Sequence, residues 1–319
     1  MFFLTLRLKT FLLTYIFEDI KGRADLAFSW LYEEYCFYQG FNKASSMYNR
    51  RTDDSEYNHI FSHLIRGVID RCDGDDREAL LRRLYLESPI ITEEAIHILK
   101  EFVTAEVLSR VYFSHNLLFT GDNQQIKYSL QGNAITVVKL MKDLVMKRPS
   151  KKLNFLNFLL EFCSHETTQV RNTANQIVLQ LHANGDFIDI IEDYSVMYLR
   201  FLLNPVPPAM LFGEDRGRPH VGQLWTEDVV KVCLYLFMSL LPQSHKLLNH
   251  LANVYSDTRA LVTFTNSQQQ ISVQRTILRE LEAAVKDIPM DRYLVEYIVS
   301  LACRPEKLLL SLRDYQESD

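Results

Sequence analysis

His59 and His63 stand four residues apart, the spacing at which two imidazoles on one helix can hold a divalent metal. A zinc protease of this pattern needs a glutamate directly after the first histidine to act as base. Ile60 occupies that position, and the sequence marks no third or fourth ligand. Asp73-Gly74-Asp75-Asp76 has the composition of a calcium loop. It lacks the alternating ligands and closing glutamate of an EF-hand, and reads as a solvated helix start. The third cluster is cationic: Lys147, Arg148, Lys151 and Lys152 surround Pro149 at a helix–helix turn. One reading makes it a contact for an acidic partner or an RNA backbone, with salt-sensitive and sequence-independent affinity. The other makes it a solvated turn whose cations suit the negative end of a helix. Arg216 and Arg218 admit the same two readings. No GxxxxGK, GxGxxG or GxSxG motif is present, and no carboxylate pair is marked as catalytic. The expectation is therefore no catalytic residue, no metal, no cofactor and no small-molecule substrate.

The elements around these residues read as helices. From Val229 to Leu241 only Lys231 and Ser239 are polar, so that helix must be covered on nearly every side. Thr226 is its N-cap, with Glu227 and Asp228 in the first turn. Pro242-Gln243-Ser244 turns the chain into a second helix with Leu247, Leu248, Leu251, Val254 and Tyr255 on one stripe. Ala95, Ile96, Leu99, Phe102 and Val103 repeat that spacing after a Thr92 cap. Asp75 and Glu78 suit a capping box for a helix through Leu80, Leu81, Leu84 and Tyr85. Further helices are predicted over 24–38, 135–145, 155–163, 170–182, 187–203, 277–285, 293–301 and 308–312. The spacing predicts an all-α chain, an α-solenoid of HEAT/ARM-like antiparallel helix pairs. It would run over residues 1–203, break at a Pro/Gly-rich loop over 204–224, and continue over 225–319. Four prolines and three glycines mark that loop, with Met210, Leu211 and Phe212 expected to tuck against helices.

Composition agrees with this class. The chain has 319 residues, 47% of them hydrophobic, with only 10 glycines and 9 prolines, which favours helices joined by short connections. A net charge of −5 argues against a dedicated nucleic-acid-binding domain. Five scattered cysteines with no CxxC pair suit reduced thiols, and Cys163 and Cys233 fit as small core residues. Arg7 and Lys9 interrupt the apolar start, whose uncharged run from Thr10 to Phe17 is well short of the ~20 residues that span a bilayer. No membrane span is expected, and Leu6, Leu13, Ile16 and Phe17 can share a helix face.

Several long stretches resemble the central region of the symplekin family. They are FEDIKGRADLAFSWLYEEY from Phe17, SPIITEEAIHILKEF from Ser88, LVMKRPSKKLNFLNFLLEFCSHE from Leu144 and YLRFLLNPVPPAMLFGEDR from Tyr198. The helical pair over 225–255 and RTILRELE from Arg275 continue the likeness, which covers nearly all of this chain but only a middle portion of that family's length. Residues 105–134 and 261–273 depart from the family pattern, either as surface loops or as retained intron sequence. The resemblance implies a nuclear, non-catalytic scaffold for pre-mRNA 3′-end cleavage and polyadenylation, histone pre-mRNA included. Its partners would be subunits of cleavage and polyadenylation specificity factor and cleavage stimulation factor, with RNA reached only through the complex. The alternative is a nuclear transport receptor-like helical-repeat binding protein; a direct RNA-binding module is a third reading.

Overall fold

The computed structural model describes residues 2–41, 54–104, 123–218, 224–251, 253–254, 257–258 and 268–287. Among them every regular element is helical, and the only β-like feature is an isolated antiparallel bridge between Gly213 and Arg218. The chain divides into two compact units, Met1–Phe155 and Leu156–Asp319. No helix among the described residues is long and apolar enough to cross a membrane.

The first unit is built from α1 (Phe2–Glu18), α2 (Ala24–Gln39), α3 (Ser55–Arg71), α4 (Gly74–Glu87), α5 (Glu93–Phe102) and α6 (Asn123–Lys147). Its centre is α3, which packs against α1, α2, α4 and α5. Tyr57, Ile60, Phe61, Leu64, Ile65, Val68 and Ile69 are all buried along it. Each such side chain contributes about 1.5–3 kcal/mol relative to exposure, which makes this helix the main apolar investment of the unit. The sequence reading places only His59 and His63 here, although Ile60, Phe61, Leu64, Ile65, Val68 and Ile69 carry a helical stripe.

The Thr92 cap forms: its hydroxyl oxygen accepts from the Ala95 N–H at 3.2 Å, and Ala95, Ile96, Leu99 and Phe102 are buried behind it. The Asp75–Glu78 capping box does not. The helix starts at Gly74 with Asp73 at the cap position, so Asp75 and Glu78 already lie inside it. The Asp73 carboxylate instead accepts from Arg77 at 3.0 Å, and Lys139 of α6 donates to Glu78 at 3.2 Å. A second difference is the start of α6, twelve residues before the expected Ile135. Residues 124–131 hold three Gln, one Lys and one Leu, all good helix formers, and no Gly or Pro. The stretch 105–122 lies outside the described residues.

The second unit begins within α7 (Lys152–Phe162) and continues with α8 (Thr168–Ala183), α9 (Ile188–Phe201), α10 (Glu227–Leu240) and α11 (Gln268–Asp287). Here α10 is the central helix, in contact with α8, α9 and α11. Val229, Val230, Val232, Cys233, Leu234, Leu236, Phe237 and Leu240 are buried on all its sides, as its composition predicts. Thr226 caps it, accepting from the Val229 N–H at 3.3 Å. After a turn at 241–243, Leu247, Leu248, Leu251 and Val254 are buried along the following helical segment. Gly185, at φ 87°, ends α8 with the Asp186 N–H donating back to Leu181 O at 3.0 Å. Tyr255, Cys303 and the helices expected over 293–301 and 308–312 lie outside the described residues, as does most of 261–273.

The four described cysteines are free. Burial raises the thiol pKa of Cys163 and Cys233, the latter to about 12. Removing either threonine cap leaves an orphan N–H at a helix start. Thr92→Ala and Thr226→Ala should each lower unfolding stability by about 1 kcal/mol in urea titrations. Glu78→Gln, which keeps helix propensity and loses only an exposed ion pair, should cost less than about 0.5 kcal/mol.

Candidate functional site

The turn between α6 and α7 brings Lys147, Arg148, Lys151 and Lys152 together, but gives them different work. Arg148 is half-buried and turns inward. Its Nε and Nη2 donate to Tyr85 O at 3.0 and 2.8 Å, and Nη2 also donates to the Ser88 carbonyl and hydroxyl oxygens. Tyr85 lies in the last turn of α4, where carbonyls have no intrahelical partner and the helix dipole is negative. Arg148 is thus a cap delivered from a helix 60 residues away. Burial lowers its pKa, while Tyr57 and Tyr32 act in the opposite sense. Lys151 pairs with Glu93 in the first turn of α5. Lys147 is 4.0 Å from Asp143, which also accepts from Arg82. Lys152 is exposed.

Sequence reasoning treated Arg216 and Arg218 as loop cations; the structure buries both. Arg216 Nη1 donates to Tyr198 OH at 2.7 Å and to Ser164 Oγ at 3.0 Å, and Nη2 lies 3.7 Å from Glu161. Burial opposes its charge, yet Tyr198, Tyr194 and Glu161 hold its pKa above the ordinary arginine value. Arg218 donates to Glu166 Oε2 at 2.8 Å and to Leu211 O at 2.9 Å. The two guanidinium groups clamp the Pro/Gly-rich loop onto the turn Ser164-His165-Glu166. The backbone joins in, with the Glu166 N–H donating to Arg216 O at 2.9 Å. Gly217, at φ 66°, passes so close that a Cβ there would sit 3.1 Å from the His165 ring. Leu211 and Phe212 tuck in as expected, whereas Met210 stays 44% exposed. Trp225 Nε1 donates to Asn204 O at 2.9 Å and ties the two ends of the loop together.

His165 sits inside this clamp, 6% exposed, its Nδ1 accepting from the Thr167 N–H at 3.0 Å. Burial, then Arg218 and Arg171, push its pKa down to about 4, so the ring is neutral at pH 7. Ser164 and His165 are neighbours in sequence, but both are committed to the loop.

The His59–His63 pair is exposed on α3 with ring centroids 4.1 Å apart. His63 Nδ1 is 2.8 Å from His59 O, and no group of three or more metal-binding side chains occurs among the described residues. Asp73–Asp76 forms the start of α4. A surface the sequence did not mark lies on α9. A groove of about 480 Å³ is lined by Asp193, Val196, Met197, Arg200, Phe201, Asn204 and His250. It adjoins a second of about 360 Å³ that adds Leu203, Asn253, Val254 and Asp257. Its floor is apolar and its rim carries both charge signs, a form suited to a peptide segment. Only the α9 apolar residues Met197 and Phe201, beyond those the core uses, hint at it in the sequence.

No family model and no solved structure matches the chain. The functional reading therefore rests on the residues themselves.

Arg148→Ala should destabilise the first unit by about 2–4 kcal/mol, because it strips a charged donor from buried carbonyls. Arg148→Lys should recover little of that, since an ammonium cannot reproduce the fork. A surface role alone would leave both melting curves unchanged. His165 gives a pH signature. Its folded-state pKa lies below the unfolded value near 6.5, so the unfolded chain takes up a proton that the folded chain refuses. This contribution is intact above pH 6.5 and is lost progressively down to about pH 4, by up to roughly 3 kcal/mol. Urea midpoints of wild type and His165→Asn, compared at neutral and acidic pH, should show a smaller acid loss in the variant.

Proposed function

We propose that this chain is a segment of a non-catalytic helical-repeat scaffold of the symplekin kind, a HEAT/ARM-like solenoid that assembles pre-mRNA 3′-end cleavage and polyadenylation factors in the nucleus. The observation that carries the reading is where the family-like stretches meet. The stretch from Leu144 supplies Ser164, and the stretch from Tyr198 supplies Tyr198 and Arg216; these three side chains bond one another. The first of these stretches also supplies Arg148, and the stretch from Ser88 supplies the Ser88 oxygens it caps.

Packing supports the same class. A central apolar helix in each unit, surrounded by one-faced helices, is how repeat units share a core that none could bury alone. Such an array gives partners an extended surface and raises their effective concentration for one another. The partners in this reading are subunits of cleavage and polyadenylation specificity factor and cleavage stimulation factor, and the nuclease activity belongs to them. RNA is reached through the complex, in keeping with the net charge of −5.

The test is affinity purification of the chain from nuclear extract, followed by binding to the recombinant subunits recovered. Those processing factors should be enriched, and Arg200→Glu, which reverses one rim charge of the α9 groove, should weaken capture of the subunit that docks there. Enrichment of a small transport GTPase without the processing factors would overturn the assignment.

A further inference from the structure

His59 and His63 are exposed imidazoles one turn apart on α3, with ring centroids 4.1 Å apart and ring planes tilted by 49°. A closed zinc site takes four protein ligands and a catalytic one three, and no third metal-binding side chain joins this pair among the described residues. A surface chelate asks for less. Two nitrogens held on the same side of an ion are enough, with water completing its shell.

The His63 ring already has the form of a ligand. Its Nδ1 lies 2.8 Å from His59 O, and a carbonyl oxygen only accepts, so Nδ1 carries the proton and Nε2 keeps its lone pair. An N–H donated to a backbone carbonyl is the usual tie of a metal-bound imidazole, and it fixes both tautomer and ring angle. The His59 ring makes no hydrogen bond among the described residues, so it can turn a nitrogen toward the same point. Two nitrogens about 2.0–2.1 Å from one metal stand roughly 3 Å from each other. Rings 4.1 Å apart reach that separation by rotation about Cβ–Cγ. Burial and then the His63 ring lower the His59 pKa, which favours the neutral form that a metal takes.

The frame behind the pair is rigid. Tyr57, Ile60, Phe61 and Leu64 interleave with the two histidines and are at most 1% exposed. The Tyr57 hydroxyl also donates to Ile90 O at 2.7 Å. Ligands carried by a packed helix keep their spacing and lose little freedom on binding. Charge does not oppose a cation here. Lys9, which acts on His59, is matched by two carboxylates, Glu34 at 3.1 Å and Glu56 at 2.6 Å.

We propose that His59 and His63 form a two-point surface chelate for a divalent transition-metal ion of the nickel, copper and zinc class, with water at the remaining positions. Imidazole is a ligand these ions share, and affinity should peak at copper. Ile60 stands where a zinc protease has its base, so the site binds without hydrolysing. The chelate goes beyond the scaffold reading and does not depend on it.

Calorimetric titration of the untagged full chain with Ni²⁺, which spares thiols better than copper or zinc, tests it. The expected result is saturable binding with a dissociation constant on the order of 10 µM. His59→Ala and His63→Ala should each weaken it at least about tenfold, and the double variant should be no weaker than either, because losing one nitrogen ends the chelate. Alanine favours helix, so α3 should keep its far-ultraviolet circular dichroism. His97→Ala, an exposed histidine on α5 with no second histidine one turn away, should leave binding unchanged. Saturating Ni²⁺ should also raise the urea midpoint of the wild type and not of the two variants, since the spacing exists only in the folded helix. No saturable binding up to about 500 µM Ni²⁺ overturns the proposal, as does binding that survives either histidine substitution or falls equally with His97→Ala.

Discussion

A helix ends with carbonyls that have no partner inside it, and in a protein made of short helices this problem recurs every dozen or so residues. Here much of the packing is arranged around its solution. Arg148 serves the end of α4, Asn133 donates to Phe102 O at the end of α5 at 3.1 Å, and Arg71 reaches Phe17 O in the last turn of α1 at 3.2 Å. Tyr32 adds a bond to Glu87 O at 2.6 Å. Each donor comes from a different helix than the end it serves. Each of these C-terminal caps is therefore also a tertiary contact, and fixes how far one helix slides along another. In the second unit Arg171 and Arg218 donate to the carbonyls of the turn after α7.

Apolar burial supplies the cohesion that this polar stitching directs. The central helix α10 is surrounded by α8, α9 and α11, so its apolar side chains alone could accept several rotations. Bonds with directional requirements remove that freedom. Asn175 Nδ2 donates to Ser239 Oγ at 2.8 Å, Tyr235 donates to Asn172, and His182 Nδ1 meets Gln243 Oε1 at 2.8 Å. On α10 and the turn after it these partners recur every four residues, and they set one register between α8 and α10. Glu192 of α9 reaches the same seam, through His182 Nε2 at 3.1 Å and Lys246 at 2.7 Å.

What the sequence made legible follows from the range of each interaction. The α10 helix and the Thr92 and Thr226 caps are set by residues within a turn or two of one another, and they stand where the pattern puts them. The Asp75–Glu78 box failed because the helix starts earlier, at Gly74 behind Asp73, and Glu78 is taken by Lys139, 61 residues away. The inward turn of Arg148 and the burial of Arg216 and Arg218 were invisible for the same reason. Nothing near a lysine–arginine run says which cation has a carbonyl waiting across the fold. The α3 stripe was present in the residues and lay hidden behind the histidine spacing. The α9 groove needs two elements at once, and no single stretch encodes it.

The buried thiols of Cys163 and Cys233 have a practical meaning. An electrophile reacts with thiolate, and burial keeps both sulfurs protonated and screened. Their modification therefore waits on an opening of the helices around them, so the second unit carries its own chemical clock for breathing motions, wound by the same packing that hides it.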